Sequence, residues 1–294
     1  MKKVGFIGVG IMGKSMVRNL MKAGFELHIY ARTKSKVEDV ISEGAQFHES
    51  IKDCVQDCDA VITIVGFPQD VEEVYFDEGN ILDSAKKGAY LIDMTTTSPQ
   101  IAEKIYEEGT KRGFHVMDAP VTGGDTGAKA GTLSILVGGE KEDYEACMSL
   151  FEAMGTNINY QGKAGCGQHC KLANQIMIAG TLSGVCEALT YAKEQGLDPE
   201  VFMKSVATGA AGSKQLDTFG PKILKDDYAP GFFMKHFIKD MKLALIEANR
   251  KGLSLDVLSM VLANYEELEQ EGYGDLGTQA LMKFYDEEHR NTEE

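Results

Sequence analysis

The chain has 294 residues, of which 43% are hydrophobic and 26% are charged, so its composition is that of a globular protein and excludes wholesale disorder. It carries 30 basic and 45 acidic residues, a net charge of −15, which disfavours nucleic acid and anionic membranes as partners because both would be repelled. No apolar run reaches the ~18 residues of a membrane span, and no cleavable signal precedes the first strand. The cysteines of so long a chain are typical of reduced thiols. We therefore expect a cytoplasmic protein with no membrane partner.

In the N-terminal half of the chain, apolar runs of strand length alternate with amphipathic stretches of helical period. The predicted strands are Lys3–Ile7, Glu26–Tyr30, Ala60–Val65, Ala89–Asp93, His115–Met117, Leu133–Val137 and Asn157–Tyr160. The predicted helices are Ile11–Ala23, Lys34–Ser42, Gln69–Tyr75, Gln100–Arg112 and Lys141–Met154. Buried strands that alternate with helices indicate a doubly wound α/β domain, in which helices cover both faces of a parallel sheet.

Beyond Lys163 the strand pattern stops and only helices are predicted. The first is a long helix over Cys166–Gln195, closed by Gly196. We expect this helix to be buried nearly all round, because Lys171 and Glu187 are the only charged residues in most of its length.

The rest of the chain continues the helical pattern. Its segments are a helix opened by Asp198-Pro199, helices over Met234–Lys251 and Leu255–Gln270, and a polar tail, Glu287–Glu294, that is expected to fray. We therefore predict two domains: residues 1–163 form the α/β domain, and residues 164–294 form an all-helical domain that serves substrate binding and dimerisation. The long central helix joins them.

The motif Gly8-Val9-Gly10-Ile11-Met12-Gly13 comes directly after the first strand and opens the first helix. A GxGxxG match is weak alone, but between a strand and a helix it is typical of dinucleotide binding. Gly8 permits the tight turn, Gly10 lets the backbone approach a pyrophosphate, and Gly13 allows close packing of helix on strand. The N-terminal domain is therefore predicted to be a Rossmann domain with these six residues at the cofactor. The alternative is a glycine-rich turn without a ligand.

The end of the second predicted strand bears on the choice of cofactor. In NAD-binding chains a carboxylate about 20 residues after the motif binds the ribose 2′-hydroxyl. Here the segment His28–Lys34 contains no carboxylate, and Arg32 beside the hydroxyl of Thr33 suits a 2′-phosphate. We therefore expect NADP(H) in preference to NAD(H). The alternative is that Arg32 is an ordinary surface cation.

Several segments together resemble the β-hydroxyacid dehydrogenases, the family of 3-hydroxyisobutyrate dehydrogenase, tartronate semialdehyde reductase and the glyoxylate/succinic semialdehyde reductases. They are Gly5–Gly13, Asp93–Pro99, Asp118–Gly124, Gly165–Gln175 and the pair Lys239-Asp240. Their order and spacing make the resemblance specific, and it extends over nearly the whole chain. It implies a reductase that interconverts a small semialdehyde or 2-oxoacid and the corresponding hydroxyacid.

The resemblance assigns the proton transfer to Lys171, as general acid in reduction and general base in oxidation. The residues support this independently, since Lys171 is the one cation in the apolar part of the central helix, where burial is expected to lower the pKa of an ammonium toward neutrality. The alternative is a lysine that extends to solvent at a helix start. Asn174 and Gln175 lie three and four residues further on, where their amides can orient a substrate oxygen; ordinary helix–helix hydrogen bonding remains open for both.

The resemblance also implies substrate contacts at a strand end. The backbone N–H groups of Thr122, Gly123 and Gly124 can form a concavity for a substrate carboxylate. The family usually has Ser where this chain has Thr122, so the hydroxyl is kept while the extra methyl narrows the pocket. A small anionic carbonyl compound or hydroxyacid is the expected substrate.

Four more residues receive roles from the resemblance. Thr96 and Lys239 correspond to cofactor contacts. Phe232 corresponds to an aromatic residue of the substrate pocket, or is plain core. Asp240 belongs to the substrate site and either holds its loop or positions Lys171, or is an ordinary ion-pair partner.

Cys166, His169 and Cys170 lie close together in sequence and invite a metal interpretation. Zinc sites need four ligands and no second cluster is visible, so we expect buried thiols and no metal.

Other functions remain as alternatives. Decarboxylating oxidation, as in 6-phosphogluconate dehydrogenase, needs a second acid one turn beyond the amide pair, where this chain has Ile176–Ala179. Imine reduction is disfavoured by Lys171, and a non-catalytic NADP-binding scaffold would be expected to lose that lysine. Lys214 replaces an aromatic residue common in relatives and is assigned either to a second substrate anion or to solvent.

The long helix also predicts a homodimer or homotetramer. A helix of roughly 28 residues spans about 42 Å, more than a small helical domain covers by itself. Its apolar surface is therefore expected to be shared with a second copy.

Overall fold

The computed structural model describes residues 1–285, and the predicted polar tail Glu287–Glu294 lies outside them. The chain divides into unit 1, Met1–Lys171, and unit 2, Leu172–Glu294. The division falls inside the long central helix, whereas the sequence pattern placed it just before that helix.

The strands of unit 1 pair in a single sheet. They are β1 (Lys3–Ile7), β2 (Glu26–Tyr30), β3 (Gln46–Phe47), β4 (Ala60–Thr63), β5 (Tyr90–Asp93), β6 (His115–Asp118), β7 (Val121–Thr122), β8 (Leu133–Gly139) and β9 (Gly155–Gly162). The order is β3-β2-β1-β4-β5-β6-β8-β7, with β9 beside β8. The predicted Rossmann sheet is confirmed from β3 to β6, where every pairing is parallel.

The far edge of the sheet departs from the all-parallel expectation. Strand β8 runs antiparallel to both β6 and β7, while β9 is parallel to β8. Because β6 and β7 therefore run in the same direction, the chain reverses between β7 and β8, where only the short helix Gly124–Ala130 connects them. Strands β3 and β7 have two residues each and carry no periodicity, so the sequence did not reveal them.

The helices of unit 1 alternate with these strands. They are α1 (Ile11–Lys22), α2 (Glu38–Ser42), α3 (Ile51–Val55), α4 (Pro68–Phe76), α5 (Ile81–Ser84), α6 (Pro99–Lys111), α7 (Gly124–Ala130), α8 (Lys141–Ala146) and α9 (Met148–Met154). Two predicted helices are divided: Lys34–Lys36 is a 3-10 turn before α2, and Cys147 separates α8 from α9. The helices α3, α5 and α7 were missed because they are too short to show a helical period.

Unit 2 is helical, as predicted. Its helices are α10 (Cys166–Glu194, which begins in unit 1), α11 (Pro199–Ala207), α12 (Lys214–Ile223), α13 (Met234–Arg250) and α14 (Asp256–Gln270), followed by 3-10 turns at Tyr273–Asp275 and Thr278–Tyr285. Leu182, Leu189, Phe237 and Tyr265 are among the buried side chains that form its core.

The expectation that α10 is buried all round is wrong for the single chain. Met177 is 74% exposed and Tyr191 is 67% exposed. Within residues 1–285, α10 is also the one helix long and apolar enough to cross a membrane, which corrects the expectation that no run reaches that size. In its most apolar stretch 44% of the residues are buried, and a core helix of a globular domain meets the same length and composition test.

Candidate active site

The glycine turn between β1 and α1 has the geometry of a dinucleotide site. Gly8 has φ +97°, and a Cβ there would lie 2.0 Å from the Ile64 carbonyl oxygen. A Cβ on Gly13 would lie 2.1 Å from the carbonyl oxygen of Gly8. Both positions therefore require glycine.

The same turn leaves room for a phosphate. A Cβ on Gly10 would meet no described atom within 4 Å, and α1 has no acidic residue in its first turn. The first N–H groups of a helix bind anions, and here the backbone can be approached closely. The neighbouring Val9 is buried and Ile11 is exposed, so the turn is anchored on one side and open on the other. These residues fit the pyrophosphate of a pyridine nucleotide.

A basic turn follows β2. The side chain of Arg32 is 72% exposed, and Thr33 is exposed beside it at the start of the 3-10 turn. The structure also brings a carboxylate to this strand end, since Asp70 Oδ1 from α4 lies 3.2 Å from Arg32 Nη1. The segment His28–Lys34 contains no acid, and nothing in the sequence indicates that Asp70, much further along the chain, lies next to Arg32.

A buried carboxylate, Asp93, ends β5 just before the residues Thr95–Thr97, which are called the threonine loop here. Thr63 Oγ1 donates to Asp93 Oδ1 at 2.7 Å, and the Thr95 N–H donates to the same oxygen at 3.1 Å. Because the Thr63 proton is used in this way, the Tyr75 hydroxyl is the donor in its 3.2 Å bond to Thr63. Asp93 Oδ2 has no hydrogen-bond partner among the described residues. Burial without a cation raises the pKa of Asp93 to about 6.

Gln168, in the first turn of α10, holds the threonine loop on both sides of Thr96. Its Oε1 accepts the Thr97 N–H at 3.0 Å, and its Nε2 donates to the Thr95 carbonyl at 2.7 Å. Thr95 and Thr97 are buried, and Thr96 between them is only half-buried. Of the three threonines it is therefore Thr96 that is accessible, as its predicted cofactor contact requires. Gln168 lies inside the family motif, but no sequence signal gave it this role.

Asp118 fixes the start of α10. Its Oδ1 accepts the Gly165 N–H and its Oδ2 accepts the Gln168 N–H, both at 2.8 Å. A Cβ on Gly167 would lie 2.3 Å from the Leu136 carbonyl oxygen, so this end of α10 packs directly on the sheet. A carboxylate at a helix N-terminus satisfies N–H groups that have no partner in the helix. Lys171 follows one turn later and is buried, with 7% of its surface exposed.

The predicted carboxylate site at Thr122, Gly123 and Gly124 lies where β7 passes into α7. Gly123 has φ +130° and Gly124 has φ +62°, so the turn is built on conformations that favour glycine. A Cβ on Gly124 would meet no described atom within 4 Å. The acid that follows, Asp125, lies 3.2 Å from the ammonium of Lys129.

In unit 2 a chain of polar contacts runs from Asn174 to α13. Asn174 Nδ2 donates to Gln175 Oε1 at 2.8 Å, and Gln175 Nε2 donates to Asp240 Oδ2 at 2.6 Å. The other oxygen, Asp240 Oδ1, is 3.0 Å from Lys239 Nζ, an ion pair without hydrogen-bond geometry. Gln175 and Asp240 are each 1% exposed. Their contacts with substrate, and that of Lys239 with cofactor, stay predictions.

This chain of contacts determines how the amide of Asn174 is turned. A carboxylate only accepts hydrogen bonds, so Gln175 must direct its NH2 group toward Asp240 and its carbonyl toward Asn174. Asn174 then directs one N–H toward Gln175. Its carbonyl oxygen and second N–H are left for other groups.

Phe232 and Lys214, two residues whose roles the sequence left open, also lie in unit 2. Phe232 precedes α13, is half-buried, and packs edge-on against Phe237 with ring centroids 6.0 Å apart. Lys214 is the exposed first residue of α12. Part of the Phe232 ring is therefore core.

All six cysteines are free. Cys166 and Cys170 are only half-buried, so the expectation that they are buried thiols is wrong for this pair. Within residues 1–285 no three His, Cys, Asp or Glu side chains are grouped as a metal site would need.

Comparison with known proteins matches both parts of the chain. Residues 3–162 match the family described as the NAD binding domain of 6-phosphogluconate dehydrogenase, and residues 165–285 match that described as NAD-binding of NADP-dependent 3-hydroxyisobutyrate dehydrogenase. The uncharacterised oxidoreductase YkwC of Bacillus subtilis is 49% identical over 97% of this chain and 99% of its own. A mitochondrial 3-hydroxyisobutyrate dehydrogenase-like protein of Arabidopsis thaliana is 44% identical over 95% of this chain and 84% of its own.

A solved structure is similar over the whole length. The 3-hydroxyisobutyrate dehydrogenase of Mycobacterium tuberculosis, in a structure with L-serine, has a TM-score of 0.88 and 26% identity over 96% of this chain and 98% of that one. The fold and the glycine turn define an oxidoreductase that uses a pyridine nucleotide. More closely, the chain belongs to the β-hydroxyacid dehydrogenase family, whose members act on hydroxyacids and semialdehydes with NAD(P).

Proposed function

We propose that this enzyme interconverts a small semialdehyde or 2-oxoacid and the corresponding hydroxyacid, with NADP(H) as cofactor and Lys171 as the proton donor and acceptor. The observation that carries the proposal is the position of Lys171. It is buried, it follows a helix start that Asp118 and Gln168 hold in place, and it is one turn from an amide whose orientation is determined.

The chemistry follows from these groups. The nicotinamide, when bound, exchanges a hydride with the carbon that carries the oxygen. Lys171 supplies the other half of the reaction: its ammonium proton goes to the carbonyl oxygen, and the neutral amine takes it back in oxidation. General acid catalysis of this kind contributes about 10²–10⁴-fold. No step requires a metal.

Asn174 is proposed to orient the substrate oxygen toward Lys171. A helix brings residues three apart to one face. Because Gln175 engages one N–H of Asn174, the amide is held in one orientation before substrate arrives. Such preorganisation lowers the cost of reaching the productive geometry.

The substrate carboxylate is proposed to bind at Thr122, Gly123 and Gly124. The open space at Gly124 and the pairing of Asp125 with Lys129 favour an anion here. The relative from Mycobacterium tuberculosis was solved with L-serine, which is a 3-hydroxyacid. The methyl of Thr122 favours a compact acid of this kind, and Phe232 is proposed to line the apolar side.

NADP(H) is proposed as the preferred cofactor because Arg32 is exposed in a turn with further cations, Lys34 and Lys36. Thr96 and Lys239 are proposed as additional cofactor contacts. Decarboxylation is disfavoured, because Ile176–Ala179 offers no second acid.

A dimer or tetramer is proposed from the exposed apolar side chains of unit 2, among them Met177, Tyr191, Val201, Val257 and Met260. We propose that these side chains meet the surface of a second copy. The free cysteines suit a reducing compartment, and we propose the cytoplasm.

The test is an activity screen of the purified enzyme with NADPH and NADH against glyoxylate, succinic semialdehyde, tartronate semialdehyde and methylmalonate semialdehyde. We expect kcat/KM with NADPH to exceed that with NADH by about tenfold or more, the worth of a charged hydrogen bond. Arg32→Ala should remove the preference, and the matched control Lys52→Ala, which removes a cation elsewhere in unit 1, should keep it. Equal values for both cofactors, or a preference that survives Arg32→Ala, would contradict NADP(H) selectivity.

A further inference from the structure

The partner of Arg32 is itself held in place. Asp70 Oδ1 lies 3.2 Å from Arg32 Nη1, and Asp70 Oδ2 accepts the N–H of Phe67 at 2.9 Å. The second bond closes the first turn of α4, so it anchors the carboxylate to the helix. The side chain of Asp70 is 18% exposed whereas that of Arg32 is 72% exposed. The carboxylate is thus the fixed member of the pair and the guanidinium the adjustable one.

We propose that Asp70 sets the strength of cofactor discrimination by competing with the 2′-phosphate for the guanidinium of Arg32. The proposal rests on the proposed function, in which Arg32 meets that phosphate. A guanidinium that keeps its bond to Asp70 presents fewer donors to the phosphate, and one that turns fully to the phosphate gives up the ion pair. Either way, Asp70 weakens binding of the phosphorylated cofactor and leaves the unphosphorylated one unaffected.

The other charges of this region do not offer the same competition. The ammonium of Lys34, in the basic turn, lies 3.2 Å from a carboxylate oxygen of Glu49, which follows β3 in the sequence. Asp39 and Glu43 are bound to Arg18, and Asp39 also to Lys14. Among the ion pairs formed within residues 1–285, Arg32 has Asp70 as its acidic partner. The size of the effect is bounded by the contribution of an exposed ion pair, at most about fivefold in affinity.

The test uses two fragments that differ by the phosphate in question, 2′,5′-ADP and 5′-AMP, and measures their Kd by calorimetry on the full chain. Asp70→Asn keeps an oxygen for the Phe67 N–H and removes the charge. We expect it to tighten 2′,5′-ADP binding roughly three- to fivefold and to leave 5′-AMP unchanged. Glu73→Gln, which removes a charge from an exposed position on the same helix, should change neither Kd. Asp70→Ser, which also keeps a helix-capping oxygen, repeats the test should the Asn variant fold poorly.

Variants of Arg32 separate the possible outcomes. Arg32→Ala should weaken 2′,5′-ADP about tenfold, and adding Asp70→Asn to it should then give no further change, because the competition is gone. If Asp70→Asn tightens 2′,5′-ADP equally without Arg32, the effect is plain repulsion and competition is excluded. If Arg32→Ala weakens 2′,5′-ADP but Asp70→Asn matches wild type, the inference fails while NADP(H) selectivity stands. If Arg32→Ala changes nothing, the cofactor proposal fails and this one with it.

Discussion

Each unit of the molecule contains a buried carboxylate, and the two carboxylates have different hydrogen-bond and charge partners. Asp93 in unit 1 is 2% exposed and is bonded to the hydroxyl of Thr63 and the N–H of Thr95, which are neutral groups. Asp240 in unit 2 is 1% exposed, accepts from Gln175 and lies 3.0 Å from the ammonium of Lys239. The two carboxyl groups are therefore about equally buried, but Asp240 has a cation beside it whereas Asp93 is bonded to neutral groups.

The difference shows what each carboxyl group can do. With neutral partners only, Asp93 keeps its proton to near-neutral pH, since burial raises its pKa to about 6. Next to the threonine loop it acts as a polar support whose charge depends on pH. Asp240 has a cation to balance its charge, and as an acceptor it orients the amides of Gln175 and Asn174. The support in unit 1 therefore changes with the protonation of Asp93, whereas the contacts of Gln175 and Asn174 in unit 2 depend on the negative charge of Asp240.

The largest expected effect comes from Lys171, which precedes the amide chain of unit 2 by one helical turn. Lys171→Ala should lower kcat at least a hundredfold, because general acid catalysis and charge stabilisation are both lost. NADPH affinity, measured by fluorescence, should stay near that of wild type, since the proposed cofactor contacts lie at Gly8, Gly10, Gly13, Arg32 and Thr96. A lower kcat with unchanged NADPH affinity would assign proton transfer to Lys171, as distinct from the orienting role of Asp240 and Gln175 in unit 2.

Lys171→Arg is the matched control. It keeps the charge, but a guanidinium does not release its proton near neutral pH, so kcat should fall almost as far. A kcat within tenfold of wild type for Lys171→Ala would remove the residue from the mechanism. Loss of NADPH binding would make its role structural.

The second prediction compares two ion pairs of unit 2 that differ in burial. Asp240→Asn removes the buried charge that pairs with the ammonium of Lys239 and should lower the free energy of unfolding by about 3–5 kcal/mol. Asp275→Asn breaks the exposed pair with Lys235, which has a 2.6 Å contact, and should cost at most about 1 kcal/mol. Urea titrations of both variants give the two values.

The two variants should also differ in enzymatic activity. Asp240→Asn should also lower kcat, because an Asn at this position can present its NH2 group to Gln175 and reverse the amide of Asn174. Asp275→Asn should leave kcat unchanged. Equal losses of stability in the two variants would contradict the predicted effect of burial on the ion pair. An unchanged kcat for Asp240→Asn would contradict the orienting role.

The smallest effect is expected from Asp93 and appears as pH dependence. Its pKa in the folded protein, about 6, lies above the ordinary aspartate value of 3.8, so the folded state holds the proton more tightly than the unfolded one. The stabilisation is fully present below pH 4 and is lost as the pH rises through 6, a change on the order of 2–3 kcal/mol. Asp93→Asn should therefore show a flatter dependence of unfolding free energy on pH between 4 and 6.

Asp39 supplies a control of opposite sign. The ammonium of Lys14 and the guanidinium of Arg18 lower the pKa of Asp39, so its stabilisation is present above its usual pKa and is lost as the pH falls. Asp39→Asn should thus change the pH dependence below pH 4 and leave the interval from 4 to 6 as in wild type. An Asp93→Asn protein with the wild-type slope in that interval would show that Asp93 is ionised throughout.

Much of the fold and part of the candidate site could be predicted because their causes are local. Gly8, Gly10 and Gly13 show their function within six positions, and the longer strands and helices show their period within a single window. The family motifs likewise single out Lys171, Asn174 and Thr96 as candidates by their neighbours in sequence, and their roles stay predictions. Short elements such as β7 and α7 could not be predicted, since two to seven residues carry too little periodicity.

Local sequence patterns predict that a Rossmann domain precedes a helical domain and that a glycine turn suits a nucleotide, because strand period, helix period and turn chemistry act between near neighbours. The folded structure is needed to show which distant groups meet: Asp70 with Arg32, Asp118 with the start of α10, and Asp240 with Gln175. The contacts of Asp118 and Asp240 form where packed strands and helices exclude water and each polar group must find a partner. Asp70 meets the exposed Arg32 because the fold brings the start of α4 next to the end of β2. The order of residues along the chain contains no local signal for that choice.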